Sequence, residues 1–315
     1  MLSFLLILTA CKTQRTAGDD SPAPTDDGVL ATDDSSHDSA PDTGGEDGSL
    51  RFYAYGRDNL DRVRIELDNP KSTEAGPALD VGAAELTVEL WIKGSSSDNA
   101  APELPCVGTT DWNAGHVVLD ATRKVGDGYG IALFSGKPYV HVGLGRDSAL
   151  VCAGTSVLDD SWHHVALQRS ATTGQIWLFV DGRIEAVTYG PTGDISVPDD
   201  ATPATDCGPE ANPQPCENDP YLVIGAEKHD LGLQNPSLAG SVDELRVSTV
   251  MRYEGPFTPM TRRFAADEST AGLYHFDEGT GTVLGDHSGN ATDGELLVGG
   301  SPPGPEWSED SPFDE

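Results

Sequence analysis

The sequence predicts an all-β protein, an antiparallel two-sheet β-sandwich or jelly roll, and three observations support this class. First, segments such as Leu86–Lys93 alternate apolar and polar residues with period two, as expected for strands that are buried on one face. Second, pairs such as Asp181-Gly182 separate these segments, and Asp-Gly is a strong hairpin signal. Third, we find no amphipathic helix of ten residues, and many short strands at regular spacing are typical of sandwiches.

The predicted strands follow one another through most of the chain. Two hairpins are expected, one with Ser135–Pro138 as its turn and one with Asp181-Gly182 at its tip. The length of 315 residues accommodates one all-β domain together with a terminal segment. The predicted strands are Leu86–Lys93, Gly130–Phe134, Tyr139–Val142, Trp162–Arg169, Ile176–Val180, Arg183–Ala186, Tyr221–Gly225, Ser241–Ser248 and Leu273–Phe276.

The charge of the chain disfavours two kinds of partner, nucleic acid and anionic lipid. Its 52 Asp and Glu against 19 Lys and Arg give a formal net charge of −33. Nucleic-acid binding requires clustered Lys and Arg that neutralise phosphates, so no nucleic-acid partner is expected. Electrostatic attachment to anionic lipid is disfavoured for the same reason. Contact with a membrane would therefore have to come from a different feature of the chain.

The first eleven residues predict export. Met1–Cys11 is an apolar run too short to span a bilayer, and its small residues before a cysteine are typical of a secretion signal. Leu8-Thr9-Ala10-Cys11 resembles the lipobox of bacterial lipoproteins. That resemblance implies a signal peptide over residues 1–10 and lipidation of Cys11. Because Lys12 follows, it also implies an outer-membrane lipoprotein of the bacterial cell envelope, with its domain in the periplasm or at the cell surface. The alternative is a soluble protein whose apolar start has no targeting role.

Residues 11–49 are predicted to be a disordered acidic tether that follows the lipidated cysteine. From residue 12 onward this segment carries ten acidic and two basic residues and no aromatic residue. Such a composition cannot bury enough apolar area to offset the entropy of ordering. We therefore expect a solvated spacer between the lipid anchor and the folded domain.

The remaining four cysteines are expected to form disulfides, since an even number in an exported protein favours a disulfide framework. Three pairings can be drawn among Cys106, Cys152, Cys207 and Cys216. Cys207 and Cys216 lie nine residues apart in a Pro- and Asp-rich loop, which favours their pairing and leaves Cys106 with Cys152. A tetrahedral metal site is disfavoured because no Cys-x-x-Cys pair or matching His spacing occurs.

Several segments resemble one known family. Ser161–Leu167 carries Trp-His-His-Val-Ala, and Gly174–Gly182 follows it with a strand that ends in Val-Asp-Gly. Gly240–Val247 is similar to a later G-x-I-D-E-V-R-I strand, and Leu79–Ile92 to a strand that ends in T-V-E-x-W. These segments resemble the laminin G-like, concanavalin A-like jelly-roll family of lectins and glucanases. The resemblance implies a domain of this type over residues 50–300.

Two further segments resemble the opening of that family's domain. Leu273–Gly281 and Asp286–Asn290 are similar to its F-D-E-G-x-G and D-x-S-G-N motifs, but here they follow the Gly240–Val247 strand. The order of the motifs is therefore permuted, or a second copy begins. Residues 301–315 are expected to form an acidic C-terminal tail outside the domain.

Catalysis is not expected, although the family includes glucanases. Their E-x-D-x-x-E signature begins at Glu66 and Asp68, but Lys71 stands where the third acid should be. No G-x-S-x-G nucleophile motif occurs, and His163 and His164 belong to the fold signature. The alternative is a glycan-active hydrolase of the concanavalin A-like glucanase type whose site the sequence does not reveal.

Calcium is the expected cofactor, because many members of the family hold this ion at the edge of the sandwich. The candidate ligands are Asp243, on a strand face shared with apolar residues, and Asp277, Asp286 and Asn290 in Gly-rich turns. The alternative is that these aspartates cap Asx turns.

A turn around Trp112 is the candidate ligand-binding surface. Asp111-Trp112-Asn113 would offer an aromatic platform flanked by hydrogen-bonding groups, the arrangement that carbohydrate-binding modules use. The sequence therefore predicts a non-catalytic, surface-displayed module that binds a glycan or protein ligand, with calcium as its cofactor.

Overall fold

The structure is a computed structural model, and it describes residues 47–108, 111–123, 126–201, 219–229 and 233–313. Sixteen strands form two sheets in this part of the chain, and every pairing between them is antiparallel. The predicted all-β, two-sheet sandwich is thereby confirmed. The helical structure of the described residues is a single 3₁₀ turn at Trp112–Ala114. No helix in those residues is long and apolar enough to cross a membrane.

The first sheet contains the N- and C-terminal strands of the domain. Its strand order is β10-β9-β8-β3-β12-β1-β16, and β13 pairs with a further part of β12. The strands are β1 (Ser49–Tyr53), β3 (Leu86–Gly94), β8 (His163–Arg169), β9 (Gln175–Val180), β10 (Arg183–Tyr189), β12 (Ala239–Ser248), β13 (Thr270–Tyr274) and β16 (Glu306–Ser308).

The second sheet has the order β14-β15-β2-β11-β4-β5-β6-β7. Its strands are β2 (Arg62–Glu66), β4 (His116–Asp120), β5 (Gly128–Phe134), β6 (Lys137–Leu144), β7 (Asp147–Cys152), β11 (Tyr221–Ile224), β14 (Val283–Leu284) and β15 (Gly294–Leu297).

The hydrophobic core lies between the two sheets. Alternate residues of β3, namely Val88, Leu90 and Ile92, are buried in it, and Ile131 and Leu133 of β5 belong to the same cluster. This pattern follows from the period-two alternation of a strand, since residues of one parity all point to one face. The period-two signal in the sequence therefore identified the inward-facing residues of β3.

Both predicted hairpins are present with two-residue turns. Asp181 and Gly182 join β9 to β10 with φ values of +50° and +69°, and Ser135 and Gly136 join β5 to β6 with +50° and +75°. Two central residues with positive φ are the geometry that suits the twist of a hairpin. The second turn is shorter than expected, because Lys137 and Pro138 already pair within β6.

The C-terminal segment differs from the prediction of an acidic tail. Glu306–Ser308 forms β16, which pairs with β1, and Trp307 packs against the core. Phe313 is buried and makes an edge contact with Trp91. The acidic composition of this segment led to the prediction of a tail. Its aromatic residues Trp307 and Phe313 pack against the domain and hold the segment in place.

Residues 249–264 lie against the outer face of the first sheet at several points, and we call them the covering segment. Thr87 donates to the carbonyl of Val250 at 2.7 Å, and Gln168 donates to the carbonyl of Tyr253 at 2.9 Å. Beneath this segment the buried carboxylate of Glu89 pairs with Arg246 at 2.7 Å. Because Glu89 is enclosed and paired, it contributes to packing rather than to an open site.

Several predicted features fall outside the described residues. These are the signal peptide, the lipidation site Cys11, the tether as far as residue 46, and the second pair of cysteines, Cys207 and Cys216. The last residues assigned to the tether, 47–49, belong to the folded domain, since Ser49 begins β1 and is fully buried.

Candidate functional site

An acidic pocket of about 350 Å³ lies where the start of β1 meets β16 and the chain that follows β13. We call this site the acidic pocket. Its lining includes four carboxylates and two aromatic side chains: Asp47, Asp277, Glu278, Glu309, Phe276 and Trp307. Three separated segments supply these groups. The pocket therefore exists only in the folded domain.

Gly48 allows these segments to approach one another. A Cβ at this position would lie 3.0 Å from the carbonyl oxygen of Ser308 and 3.2 Å from that of Phe276. The Gly48 amide donates a hydrogen bond of 2.8 Å to Oδ1 of Asp277. The position of the Asp277 carboxylate is thus fixed by backbone contact.

One guanidinium serves two of the pocket carboxylates. Nε of Arg263 lies 2.6 Å from Oδ1 of Asp47, and its Nη2 lies 2.8 Å from Oδ2 of Asp277. The second contact is an ion pair only. Oδ2 of Asp277 is buried and accepts no hydrogen bond. Burial raises the pKa of Asp277 to about 7 even though Arg263 lowers it.

Glu278 also has an unsatisfied oxygen. Its Oε1 accepts a hydrogen bond of 2.7 Å from the Gly285 amide, whereas its Oε2 is buried and has no hydrogen-bond partner. A buried carboxylate oxygen without a donor is energetically costly. A cation in the pocket would remove this cost.

Asp243 lies on the neighbouring strand. The pairing of Leu50 with Val242 places Asp243 opposite Ser49, directly beside the start of β1. Burial raises the pKa of Asp243 well above its usual range, and the charges of Glu244, Asp277 and Asp47 raise it further. Its Oδ1 accepts from the Glu244 amide at 2.7 Å. Asp243 and Asp277, two of the predicted calcium ligands, thus belong to one group of interacting carboxylates.

An irregularity of β12 shapes this region. The register of β12 with β3 shifts between Asp243 and Arg246, and Glu244 has a φ of +51°. Glu244 accepts from the Phe264 amide at 2.7 Å and pairs with Nδ1 of His275 at 2.5 Å. Its carboxylate is therefore already occupied and is less suited to hold a further cation than that of Asp277.

The acidic pocket offers the class of ligand atom that calcium binds, although its carboxylates do not form a group of three ligand atoms within 4.8 Å of one another. Calcium binds carboxylate and carbonyl oxygens, and Asp47, Asp277 and Glu278 line one cavity. The raised pKa of Asp277 and the unpartnered Oε2 of Glu278 both indicate excess negative charge. Asp277 and Glu278 are the residues that would hold such an ion, with Asp243 and Asp47 adding to the local field.

The other two predicted calcium ligands, Asp286 and Asn290, form a separate network. Oδ1 of Asp286 accepts from the amides of Leu273 and Ser288, and its Oδ2 accepts from the amide and hydroxyl of Thr292. Asn290 donates to the carbonyls of Thr270 and Ala271. Burial opposes ionisation of Asp286, but these hydrogen bonds outweigh it and lower its pKa. Both side chains thus tie their loop to β13.

Trp112 has a packing role, which corrects the expectation of an exposed platform. Its side chain is only 6% exposed. The indole stacks on the ring of His141 with centroids 5.7 Å apart, and it covers Gly130, where a Cβ would lie 2.2 Å from the indole. Asn113 accepts a hydrogen bond from Asn235 through its carbonyl, and the Asp111 carbonyl accepts from Ala114 within the 3₁₀ turn. The missing side chain of Gly130 creates the space that Trp112 fills.

A disulfide holds the segment that carries Trp112. Cys106 and Cys152 are bonded, with Cα atoms 6.0 Å apart. The predicted pairing of these two cysteines is confirmed. It links the loop before the Trp112 turn to the end of β7, at the edge of the second sheet.

A second charged group, which the sequence analysis missed, lies at the end of β11. Ligand atoms of Asp120, Glu227 and His229 converge within 4.8 Å, and Lys228 is buried beside them. Burial lowers the pKa of His229, but hydrogen bonds to Asp219 and Glu227 outweigh it and raise this pKa to about 9. Protonated His229 therefore balances part of the carboxylate charge, while burial lowers the pKa of Lys228, which donates to the carbonyls of Asp219 and Tyr221. The Glu227-Lys228-His229 run directly after a predicted strand was the available signal.

The comparison with protein families decides the membership of this chain. A laminin G family model of the concanavalin A-like lectin/glucanases superfamily matches residues 67–253, more than half of the chain. The chain belongs to the concanavalin A-like lectin/glucanases superfamily. The resemblance seen in the sequence motifs is confirmed. No curated protein sequence matches this member of the superfamily.

Three solved structures illustrate what this superfamily member is similar to. A candidate carbohydrate-binding protein of Bacteroides ovatus is 17% identical over 80% of this chain and 58% of its own, with a TM-score of 0.47. A heptameric pentraxin of Limulus polyphemus is 15% identical over 71% and 94%, with a TM-score of 0.38. The LG4-5 domains of mouse laminin α1 are 15% identical over 68% and 44%, with a TM-score of 0.37. The chain therefore spans less than two thirds of the Bacteroides ovatus protein.

Proposed function

We propose that this protein is a non-catalytic recognition module that binds a carbohydrate or protein ligand with the help of calcium. The observation that carries the proposal is the acidic pocket, in which Oδ2 of Asp277 and Oε2 of Glu278 are buried without hydrogen-bond partners and burial raises the pKa of Asp277 to about 7. A bound calcium ion would compensate the charge of these carboxylates and coordinate oxygen atoms of the ligand. Membership of a superfamily of lectins and glucanases supports a binding role.

The proposal includes attachment to the bacterial cell envelope through a lipid on Cys11. It is supported by the Leu8–Cys11 segment and by the acidic, aromatic-free residues that follow it. Stable anchoring requires more than one acyl chain, which a lipoprotein cysteine provides. Labelling of cells with an alkyne fatty acid should mark the wild type and leave Cys11→Ser unmarked. Equal labelling of both would contradict the anchor.

A glycan array with and without calcium tests the recognition function. We expect binding in buffer that contains calcium chloride, and loss of most signal when EGTA replaces it. Asp277→Asn should lose the calcium-dependent signal, whereas Asp58→Asn, which changes an exposed aspartate outside the pocket lining, should retain it. Absence of binding to any glycan under both conditions would count against carbohydrate as the ligand.

A further inference from the structure

The outer face of the β9–β10 hairpin carries a row of exposed apolar side chains. In the antiparallel pairing of β10 with β9, Ile184 lies opposite Phe179, Val187 opposite Trp177 and Tyr189 opposite Gln175. Paired residues share a face of the sheet, and the bulge between Ile184 and Ala186 places all three β10 residues on the same side. We call Trp177, Ile184, Val187 and Tyr189 the hairpin strip.

The hairpin strip lies where the covering segment ends. Phe257 of that segment donates its amide to the carbonyl of Gly182, and its ring lies 5.5 Å from that of Phe179. Beyond this contact β10 is the edge strand of the first sheet, and β9 lies next to it. The side chain of Tyr189 is 69% exposed, that of Val187 42% and that of Ile184 36%. Ile184, Val187 and Tyr189 are therefore exposed beside the part of this face that the covering segment contacts.

A rigid base supports the strip. The Trp177 ring stacks on Phe179 with centroids 5.9 Å apart and planes 12° apart, and Phe179 is fully buried. The inward neighbours Ile176 and Leu178 belong to the core. Nε1 of Trp177 is buried without a hydrogen-bond partner. The exposed residues therefore project from a fixed surface and not from a flexible loop.

The size of the strip favours a small contact. Its exposed apolar area is on the order of 300 Å², because a fully exposed aromatic residue presents roughly 200 Å². A stable protein–protein interface buries about 800 Å² on each partner. The strip alone is too small to hold a second folded protein.

The chemistry of the strip favours an uncharged ligand. Its residues and the adjacent Gln175 carry no charge, although the chain has a net charge of −33. The charged residues of β10 lie elsewhere: Arg183 pairs with the core residue Val180, and Glu185 accepts hydrogen bonds from Gly154 and Thr155. An aromatic ring with neighbouring amide and hydroxyl groups binds the apolar face and the hydroxyls of a sugar.

We infer that the hairpin strip is a binding platform for a neutral polysaccharide chain, distinct from the acidic pocket. The tip of Tyr189 stacks on one sugar ring, and Gln175 and the Tyr189 hydroxyl donate to its hydroxyls. This inference rests on the proposed recognition function, but it requires no calcium.

Affinity electrophoresis of the full chain tests the platform. Gels contain barley β-glucan, glucomannan, galactomannan or dextran, all of which are neutral, and are run with EGTA. We expect at least one polysaccharide to retard the wild type. Tyr189→Ala should weaken that binding about tenfold or more, because the stacked ring is lost. Tyr189→Phe should retain most of it, since the ring remains.

Matched variants show whether the retardation comes from the hairpin strip. Val283→Ala, which trims an exposed apolar side chain on the second sheet, should bind like the wild type. Circular dichroism melting of each variant should show unchanged folding. Equal binding by Tyr189→Ala, or no retardation by any of the polysaccharides, would overturn the platform.

Two further outcomes would also overturn the platform. In the first, binding depends on calcium, Asp277→Asn abolishes it and Tyr189→Ala leaves it intact, which would support the acidic pocket alone. In the second, sedimentation shows dimers of the wild type that Tyr189→Ala loses, which would assign the strip to a second copy of the chain.

Discussion

Arg263 and Asp277 form an ion pair in which Nη2 and Oδ2 lie 2.8 Å apart, yet burial still raises the pKa of Asp277 to about 7. The guanidinium is shared with Asp47, and the neighbouring Asp243 is also acidic, whereas Glu244 pairs with His275. The charge of Arg263 is therefore spread over more carboxylates than it can neutralise. A proton or a metal cation in the acidic pocket would reduce this imbalance.

Without calcium, the domain should lose stability as the pH rises from about 4 to about 7. Over this range folded Asp277 retains a proton that the unfolded chain has released, so the folded state binds more protons. The raised pKa of Asp243 acts in the same direction. Urea unfolding in EGTA at several pH values should show this slope. Asp277→Asn should reduce it and should be more stable than the wild type at pH 8. An identical slope in both proteins would contradict the assignment.

Asp286→Ala should destabilise the domain by roughly 1–3 kcal/mol, because several buried donors would lose their acceptor. Asp286→Asn keeps one carbonyl oxygen and should lose less. Neither variant should change calcium affinity, because Asp286 lies outside the acidic pocket lining. Unfolding curves and calcium titrations of the same samples would check both statements. If these variants lost calcium binding but kept their stability, Asp286 would be a calcium ligand and the statement would be wrong.

Gly130→Ala should destabilise the domain by roughly 1–3 kcal/mol, since its Cβ would lie 2.2 Å from the indole of Trp112. Gly255→Ala is the control, because a Cβ there meets no atom within 4 Å and the residue has no positive φ. Chemical denaturation of both variants measures the difference. Comparable stability of the two would show that Trp112 moves aside without cost.

The double variant Cys106→Ser/Cys152→Ser should unfold about 2–4 kcal/mol more easily than the wild type, since the disulfide closes a loop of 46 residues. Non-reducing peptide mapping should recover the two cysteines in one linked peptide. The same map reports whether Cys207 and Cys216 are joined, as the sequence predicts. A linkage between Cys106 and Cys207 would contradict the structure.

The sequence predicted the fold well because a strand with one buried face can be recognised from the alternation of its own residues. Leu86–Lys93 shows this period-two alternation, and Asp181-Gly182 is a typical hairpin turn. The short C-terminal strand β16 was missed, since Glu306–Ser308 pairs only with β1, at the opposite end of the domain sequence.

The site was harder to predict, because its residues converge only through the sheet. Asp243 and Asp277 were two of the four predicted calcium ligands, but Asp47 was assigned to the tether and Glu278 was not singled out. The exposure of Trp112 was mispredicted because Gly130, which makes room for it, is distant in sequence. The hairpin strip depends on a bulge in β10 that no local pattern reveals.

Calcium titration by isothermal calorimetry at pH 7.5 tests the central claim most directly. The wild type should bind calcium at a single site whose affinity weakens as the pH falls below 7, because Asp277 then takes up a proton. Asp277→Asn should bind at least tenfold more weakly, whereas Asp58→Asn should match the wild type. Equal calcium affinity in the wild type and Asp277→Asn, or no heat of binding in either, would contradict the calcium site.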